Sequence, residues 1–429
     1  MRLFNLSTDV IKQGGTRRGA NMGILRVDHP DILDFIALKQ TPSAMTNFNL
    51  SVGMTDSFMQ ALTRRRTYAL INPHTGKSTR RLPAQLVFDR LVEAAWASGE
   101  PGLIFLDTIN RANPTPGLGV IESTNPCGEQ PLLAYESCTL GSINVANFVD
   151  RRGTRLAIDF TRLADTISLA VRFLDDVIDR NRFPLPLIDR MTKRTRKIGL
   201  GIMGFADLLI ALNIPYNSDA ALQTAATLMA FIQSHAHRAS ADLAAERGVF
   251  PAYRSSRLRA IHWPRRNAAI TTIAPTGSIS IIADCSPGIE PLYGVREVRR
   301  VMDGVLLTRL HPAFVRSARM LGLDLELLQT DLAAHPSIQH LAQVPEELRR
   351  LFVTAHDVTP EQHVRMQAVF QRYSDSGVSK TINLPDQATT AEVAAAFLLA
   401  HQLGCKGITV FRTGSREGQV FSCSASSPC

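Results

Sequence analysis

The segment from Glu122 to Val145, ESTNPCGEQPLLAYESCTLGSINV, constrains this chain more than any other. Asn125, Cys127 and Glu129 stand at alternate positions, and Cys138 follows Cys127 by eleven residues. Pro, Gly and small polar residues around them spell an ordered loop rather than a helix or a strand. Where such a loop is locally extended, alternate residues share one side. The residue types suit chemistry: an amide orients a ligand by hydrogen bonds, a carboxylate moves a proton, and a thiol reacts. A thiol is also an ordinary small buried hydrophobe, and that alternative stands until the rest of the chain is read.

With 429 residues, 45% hydrophobic and 20% charged, the chain has the composition of a large globular body. That length exceeds an ordinary single domain and suits a large α/β barrel. Its longest apolar runs, such as Ala394–Ala400, are far shorter than the ~20 residues that cross a bilayer, and no signal peptide is legible at the start. The expectation is a cytoplasmic protein with no membrane partner. A net charge of +9 comes with arginine clusters such as Arg64-Arg65-Arg66 and Arg299-Arg300. Basic surfaces suit nucleic acid or phosphorylated small molecules. With only 6% aromatics to stack on bases, nucleic acid is the poorer fit. The cysteines, Cys127, Cys138, Cys285, Cys405, Cys423 and Cys429, form no CxxC pair and no zinc spacing, so no metal is expected.

Along the chain, GGTRRGAN (Gly14 to Asn21) is a basic glycine-rich loop whose backbone N–H groups can approach an anion. Asn47–Met54 reads as a strand, 65–82 as a polar insertion, Pro83–Ala97 as a helix, and Gly102–Asn113 as a strand leading into the cysteine loop. A long amphipathic helix runs from about Phe160 to Asp179. Gly199, Gly201 and Gly204 spell GxGxxG but lack the second strand and its acid, so they read as a tightly packed turn rather than a dinucleotide site. Ala268–Gly294 reads as an apolar strand, a Pro-Thr-Gly-Ser turn and a helix start, an arrangement that suits an anion.

These segments together resemble the large subunit of ribonucleotide reductases, over nearly the whole chain. The resemblance rests on NPCGEQ and ESCTLGSIN, on GGTRRGANM, on APTGSIS with SPGIEPLYG, on SKTIN (Ser379–Asn383) and on CKGITV. It implies a large ten-stranded α/β barrel, N-terminally incomplete here, with a central finger loop. Residues 1–416 would be the barrel and 417–429 a flexible cysteine-containing tail. In that family Cys127 would be the thiyl radical that takes the substrate's 3′ hydrogen, Glu129 the base on the 3′ hydroxyl, Asn125 a substrate holder, and Cys138 one of two reducing thiols. Thr276, Gly277, Ser278, Ile279 and Ser280 would bind the substrate's phosphates. Gly14, Gly15, Arg17, Arg18, Gly19, Ala20 and Asn21 would form the loop through which a deoxynucleotide effector selects the base. Cys423 and Cys429 would shuttle electrons from a thioredoxin-like reductant.

Within the family, one class uses two adjacent tyrosines near the chain's end, where this chain has Thr409-Val410-Phe411-Arg412. Another needs a glycyl-radical motif and a zinc cysteine set, and neither is legible. The class left is the adenosylcobalamin-dependent one, in which the cofactor supplies the radical and the protein supplies position. The implied activity is reduction of ribonucleoside diphosphates to 2′-deoxyribonucleotides. No cysteine precedes Cys127 to pair with Cys138, and the family's long N-terminal region has no counterpart here. The expectation is therefore a fragment, a mis-called start or one half of a split enzyme, catalytic only when completed by an N-terminal reductase fragment, with an incomplete effector site. The alternative is a non-catalytic nucleotide-binding remnant, or half of a split enzyme inactive alone.

Overall fold

In a computed structural model of the chain, the described residues are 1–13, 17–40, 45–152, 155–301, 305–333 and 337–415. The strands that matter are β1 (Asn21–Arg26), β2 (Phe48–Met54), β3 (Gly102–Phe105), β4 (Ser123–Thr124), β5 (Pro131–Leu132), β6 (Thr139–Asn144), β7 (Ile198–Met203), β8 (Thr381–Leu384) and β9 (Gly407–Arg412). Two long helices, α1 (Phe160–Arg180) and α2 (Asp219–Arg247), and the shorter α3 (Gly277–Ile282) and α4 (Pro360–Arg372) complete the frame.

Strand pairing builds the barrel wall in two opposed parts. β1, β2 and β3 run parallel, β3 meets β9 antiparallel, and β9 lies parallel to β8. Upstream of β8 the same strand continues as 376–379 and bridges Ile273 in parallel, while Thr271 bridges Leu200 of β7, which pairs with β6. Eight strand segments therefore follow one another around the wall among the described residues, against the ten that the resemblance implies for the whole barrel. Three run one way and five the other. Crossover helices bury their apolar stripes on this wall, as parallel connections require. α1 turns Leu163, Ile167, Val171, Leu174 and Ile178 inward, at helical spacing, and Asp159 caps its first turn by accepting from Arg162 N–H.

Several sequence expectations need correction. Residues 65–82 are not a featureless insertion: Thr67–Ile71 and Ser78–Pro83 pair as a hairpin whose alternate residues Tyr68, Leu70 and Leu82 are buried. The strand at Gly102 stops at Phe105, and Leu106–Arg111 turns into a helix. Gly199 and Gly201 lie inside strand β7 rather than in a turn. The packing reason given for them holds: a Cβ on Gly201 would sit 2.3 Å from the Thr272 carbonyl oxygen, and one on Gly199 2.5 Å from Leu140. Only glycine lets the 269–273 segment and β6 come this close on either side. Among the described residues, no helix is long and apolar enough to cross a membrane.

Candidate active site

β4 and β5 form a short antiparallel hairpin whose tip, Asn125–Gln130, is a tight turn. Asn125 N–H donates to the Gln130 carbonyl at 3.1 Å, Gly128 N–H to the Asn125 carbonyl at 3.0 Å, and Gln130 N–H to Asn125 Oδ1 at 3.0 Å. Gly128 adopts φ +82°, a conformation costly for any residue with a Cβ. The extended reading therefore fails here. Backbone reversal at Gly128 breaks the alternation: Asn125 and Cys127 line different cavities, while the Asn125 amide stays within reach of the Glu129 carboxyl.

Both halves of the wall grip this tip. Asn49 of β2 donates to the Pro126 carbonyl at 2.7 Å. Across from it, the Glu129 carbonyl accepts from Gly377 N–H at 2.7 Å and lies 2.9 Å from the Thr272 hydroxyl. Gly377 has no room for a side chain, since a Cβ would meet the Gly128 carbonyl oxygen at 2.7 Å. The hairpin tip is thus held between strands of opposite direction, inside the barrel.

Two cavities flank the tip. One, of about 220 Å³, is lined by Cys127 together with Asn49 and Ser51 of β2, Pro275, Ser379, Lys380 and Thr409 of β9. The Cys127 side chain is exposed, unlike the half-buried Cys138 and the buried Cys285 and Cys405. Pro275 leads into the Pro-Thr-Gly-Ser turn, so the thiol and the start of the phosphate-turn candidate border the same space. Of that turn, Gly277, Ser278 and Ile279 are exposed in the first turn of α3, and Thr276 and Ser280 are buried. Thr276 Oγ1 accepts from Gly288 N–H at 2.7 Å and Ser280 donates to the Gly277 carbonyl at 3.2 Å, so both hydroxyls serve the turn itself. Lys380 is fully buried at the cavity wall, 2.6 Å from Glu290, and burial pulls its ammonium below the ordinary value against the pull of that carboxylate.

The second cavity, about 570 Å³, is lined by Asn125, Gln130, Glu136 and Cys138. Glu129, in the same turn, is 2% exposed, with its Oε2 buried and without a hydrogen-bond partner. Burial raises its carboxyl above the usual range, opposed by its own backbone N–H and the Asn125 amide. Such a carboxyl is a better proton acceptor once ionised than an exposed one. Burial also pushes the Cys138 thiol up, against the nearby Lys197 ammonium and with the added push of Glu129 and Glu136.

Some expected site residues lie elsewhere. Gly14 and Gly15 fall outside the described residues, as do Cys423 and Cys429 of the tail. Arg17-Arg18 form a two-residue strand paired with Lys12-Gln13. Asn21 donates to Thr8 Oγ1 at 2.8 Å, and Gly19 also approaches Thr8, so this end of the loop rests on the helix Arg2–Val10. Sequence reading missed Gln130, Glu136 and Lys197 altogether. The signal available was position: Glu136 stands two residues before Cys138, and Lys197 is the last of a basic run, directly before an apolar strand.

The family model described as ribonucleotide reductase, barrel domain, matches residues 1–264 and 261–411. The chain belongs to that family. It is 51% identical over 424 residues to the vitamin B12-dependent ribonucleoside-diphosphate reductase of Thermoplasma acidophilum, a match covering 98% of this chain and 55% of the relative. It is 49% identical over 430 residues to the protein of the same name from Mycobacterium tuberculosis, covering 100% of this chain and 61% of that one. The chain thus spans between about half and two thirds of these relatives' length. A class Id ribonucleotide reductase alpha subunit from Actinobacillus ureae has the same fold, with a TM-score of 0.77 at 23% identity over 96% of this chain and 73% of that one. The reductase barrel and its finger loop, expected from the sequence, are what the chain folds into.

Proposed function

We propose that this chain is the catalytic barrel of an adenosylcobalamin-dependent ribonucleoside-diphosphate reductase. The observation that carries the reading is the placement of Cys127: an exposed thiol at the tip of a hairpin held inside the barrel, bordering the same cavity as Pro275, where the Pro-Thr-Gly-Ser turn starts. The relatives' names support cobalamin and a diphosphate substrate. The residues fit such a cofactor in that the thiol it would have to reach is exposed, beside a cavity of about 220 Å³ lined by Asn49, Ser51 and Thr409. When bound, adenosylcobalamin supplies the one-electron oxidation that turns a thiol into a thiyl radical.

The chain's residues then take distinct roles. Cys127 removes the 3′ hydrogen of the ribose. Glu129, a buried carboxyl with an unpartnered oxygen, takes the 3′ hydroxyl proton, and Asn125 orients both the substrate and that carboxyl. Exposed backbone N–H groups at Gly277, Ser278 and Ile279 receive the phosphates. Cys138 gives one of the two thiol hydrogens as the 2′ hydroxyl leaves as water. The partner sulfur of Cys138 comes, in this reading, from an N-terminal reductase fragment. A deoxynucleotide effector acts through Arg17 to Asn21, and a thioredoxin-like dithiol restores the thiols.

The test is product formation. With an N-terminal reductase fragment, adenosylcobalamin, dithiothreitol and CDP, the protein forms dCDP by chromatography, and Cys127→Ser forms none. Product that persists in Cys127→Ser would overturn the assignment of Cys127.

A further inference from the structure

A carboxylate and an ammonium meet in the wall behind Cys138. Lys197 Nζ lies 2.6 Å from Glu136 Oε2, with the side chains 2% and 0% exposed. Glu136 Oε2 also accepts from Leu133 N–H at 2.7 Å, while Oε1 is buried with no hydrogen-bond partner. Glu136 and Cys138 line the same cavity, and so does Gln130, whose amide nitrogen and oxygen are both buried and unpartnered. Gln130 is 2% exposed and is pressed against Gly199, where a Cβ would stand 2.6 Å from its Nε2. Buried ion pairs are poor stabilisers compared with apolar packing of the same volume. This one occupies the wall beside a thiol.

We propose that the Glu136–Lys197 pair is a positioning pair for Cys138, setting its thiol–thiolate balance, with Lys197 favouring the thiolate and Glu136 restraining it. The proposal rests on the reading of Cys138 as a redox thiol. Cys138 and Lys197 immediately precede Thr139 and Ile198, which pair in register at the starts of β6 and β7, and the other charges acting on the sulfur are Glu129 of the hairpin tip and Glu136, with Glu122 further round the cavity. Behind Lys197, a small second space is shared with Asp375 and with Lys406, the residue before β9. Burial, helped by Lys197, pulls the Lys406 ammonium down to about 8.

The step served is thiol–disulfide exchange. One thiolate of an external dithiol attacks the disulfide that Cys138 forms with its partner sulfur, and the second thiolate completes the exchange. Two electrons pass from dithiol to disulfide, and the two protons of the dithiol end on Cys138 and its partner. Cys138 leaves as a thiolate in this exchange, and leaving-group acidity sets the rate. Lys197 supplies the positive charge for that thiolate, and Glu136 keeps the resting sulfur protonated for its role as hydrogen donor.

The test needs neither cofactor nor nucleotide, so its failure is separate from failure of the reductase reading. The rate of iodoacetamide alkylation at Cys138 is followed against pH by mass spectrometry of its peptide, with Cys127 in the same digest as internal reference. Lys197→Met is expected to move the profile up by about one pH unit, a roughly tenfold slower reaction at fixed pH below the midpoint. Glu136→Gln moves it down, the double variant returns towards the parent, and Lys197→Arg keeps the parent profile. If Lys197→Met does not fold, Glu136→Gln and Lys197→Arg decide. Lys197→Met and Glu136→Gln profiles that coincide with the parent, or that shift the same way, overturn the proposal.

Discussion

At the scale of single residues, Glu129 holds function against stability. Its carboxyl is buried, its Oε2 has no partner, and burial raises its affinity for a proton. A group whose folded value is raised contributes stability below its unfolded value, near 4.3, and loses it as pH rises through the folded value. Above that window the ionised carboxylate costs free energy. Glu129→Gln is therefore expected to stabilise the protein at pH 7.5 by about 1–3 kcal/mol in denaturant titration, to show a smaller gain at pH 4.5, and to form no deoxynucleotide. A loss of stability at pH 7.5 would show that the charged carboxylate has a partner in the folded chain. The four residues picked from NPCGEQ and ESC all lie at the hairpin or in its flanking cavities, because residue type and spacing are written in the chain. That Asn125 faces one cavity and Cys127 the other was not legible, because it depends on the backbone reversal at Gly128.

At the scale of elements, the finger hairpin is positioned by its neighbours rather than by its own two-residue strands. The contact of Gly377 with the tip makes this testable. In Gly377→Ala a methyl would press on the Gly128 carbonyl oxygen at 2.7 Å and the Glu129 Cα at 3.1 Å, both backbone atoms at the tip. Overpacking of this kind costs about 1–3 kcal/mol, and here the strain falls on the segment that carries Cys127. The expected result is a fall in Tm of a few degrees with a much larger loss of turnover. Full turnover with a lowered Tm would mean that the tip adjusts freely. A helix with a strong period, Phe160–Arg180, was legible to within a residue or two. β7 was not, because its glycines imitate a turn, and their reason lies in Thr272 and Leu140, far away in sequence. The Thr67–Pro83 hairpin was hidden by its exposed polar residues, which outnumber the three that face the core.

At the scale of the whole molecule, one end of the wall is fastened by charge. Asp375 sits beside the 269–273 segment: it accepts from Ile270 N–H at 2.9 Å, lies 2.9 Å from His237 Nε2 of α2, and faces the Arg265 guanidinium. Burial alone would raise this carboxyl, but His237, Arg265 and the Ile270 N–H together hold it well below the usual carboxylate range. Lys406 donates to the Asp375 and Ser376 carbonyls at 2.6 and 2.9 Å, which ties β9 to the same point. Asp375→Asn leaves the Arg265 charge without a counterion and is expected to cost about 3–5 kcal/mol. Because the folded value is depressed, the carboxylate's contribution is present above the unfolded value of about 3.9 and lost as pH falls below it. The variant should therefore lose most at neutral pH and approach the parent in acid, as read by chemical denaturation. An equal difference at all pH values would assign the loss to packing. The order of the eight wall segments was not legible in the sequence, because it is fixed by pairings such as β3 with β9 across some three hundred residues.

The most direct test of the account is exchange of tritium between 5′-labelled adenosylcobalamin and water, with the parent protein beside Cys127→Ser. It asks only that the cofactor reach the Cys127 thiol, and needs neither Cys138 nor its partner sulfur. The account predicts exchange in the parent and none in the Cys127→Ser protein. Exchange that survives the substitution, or a folded parent that shows none, would contradict the placement of radical chemistry at Cys127.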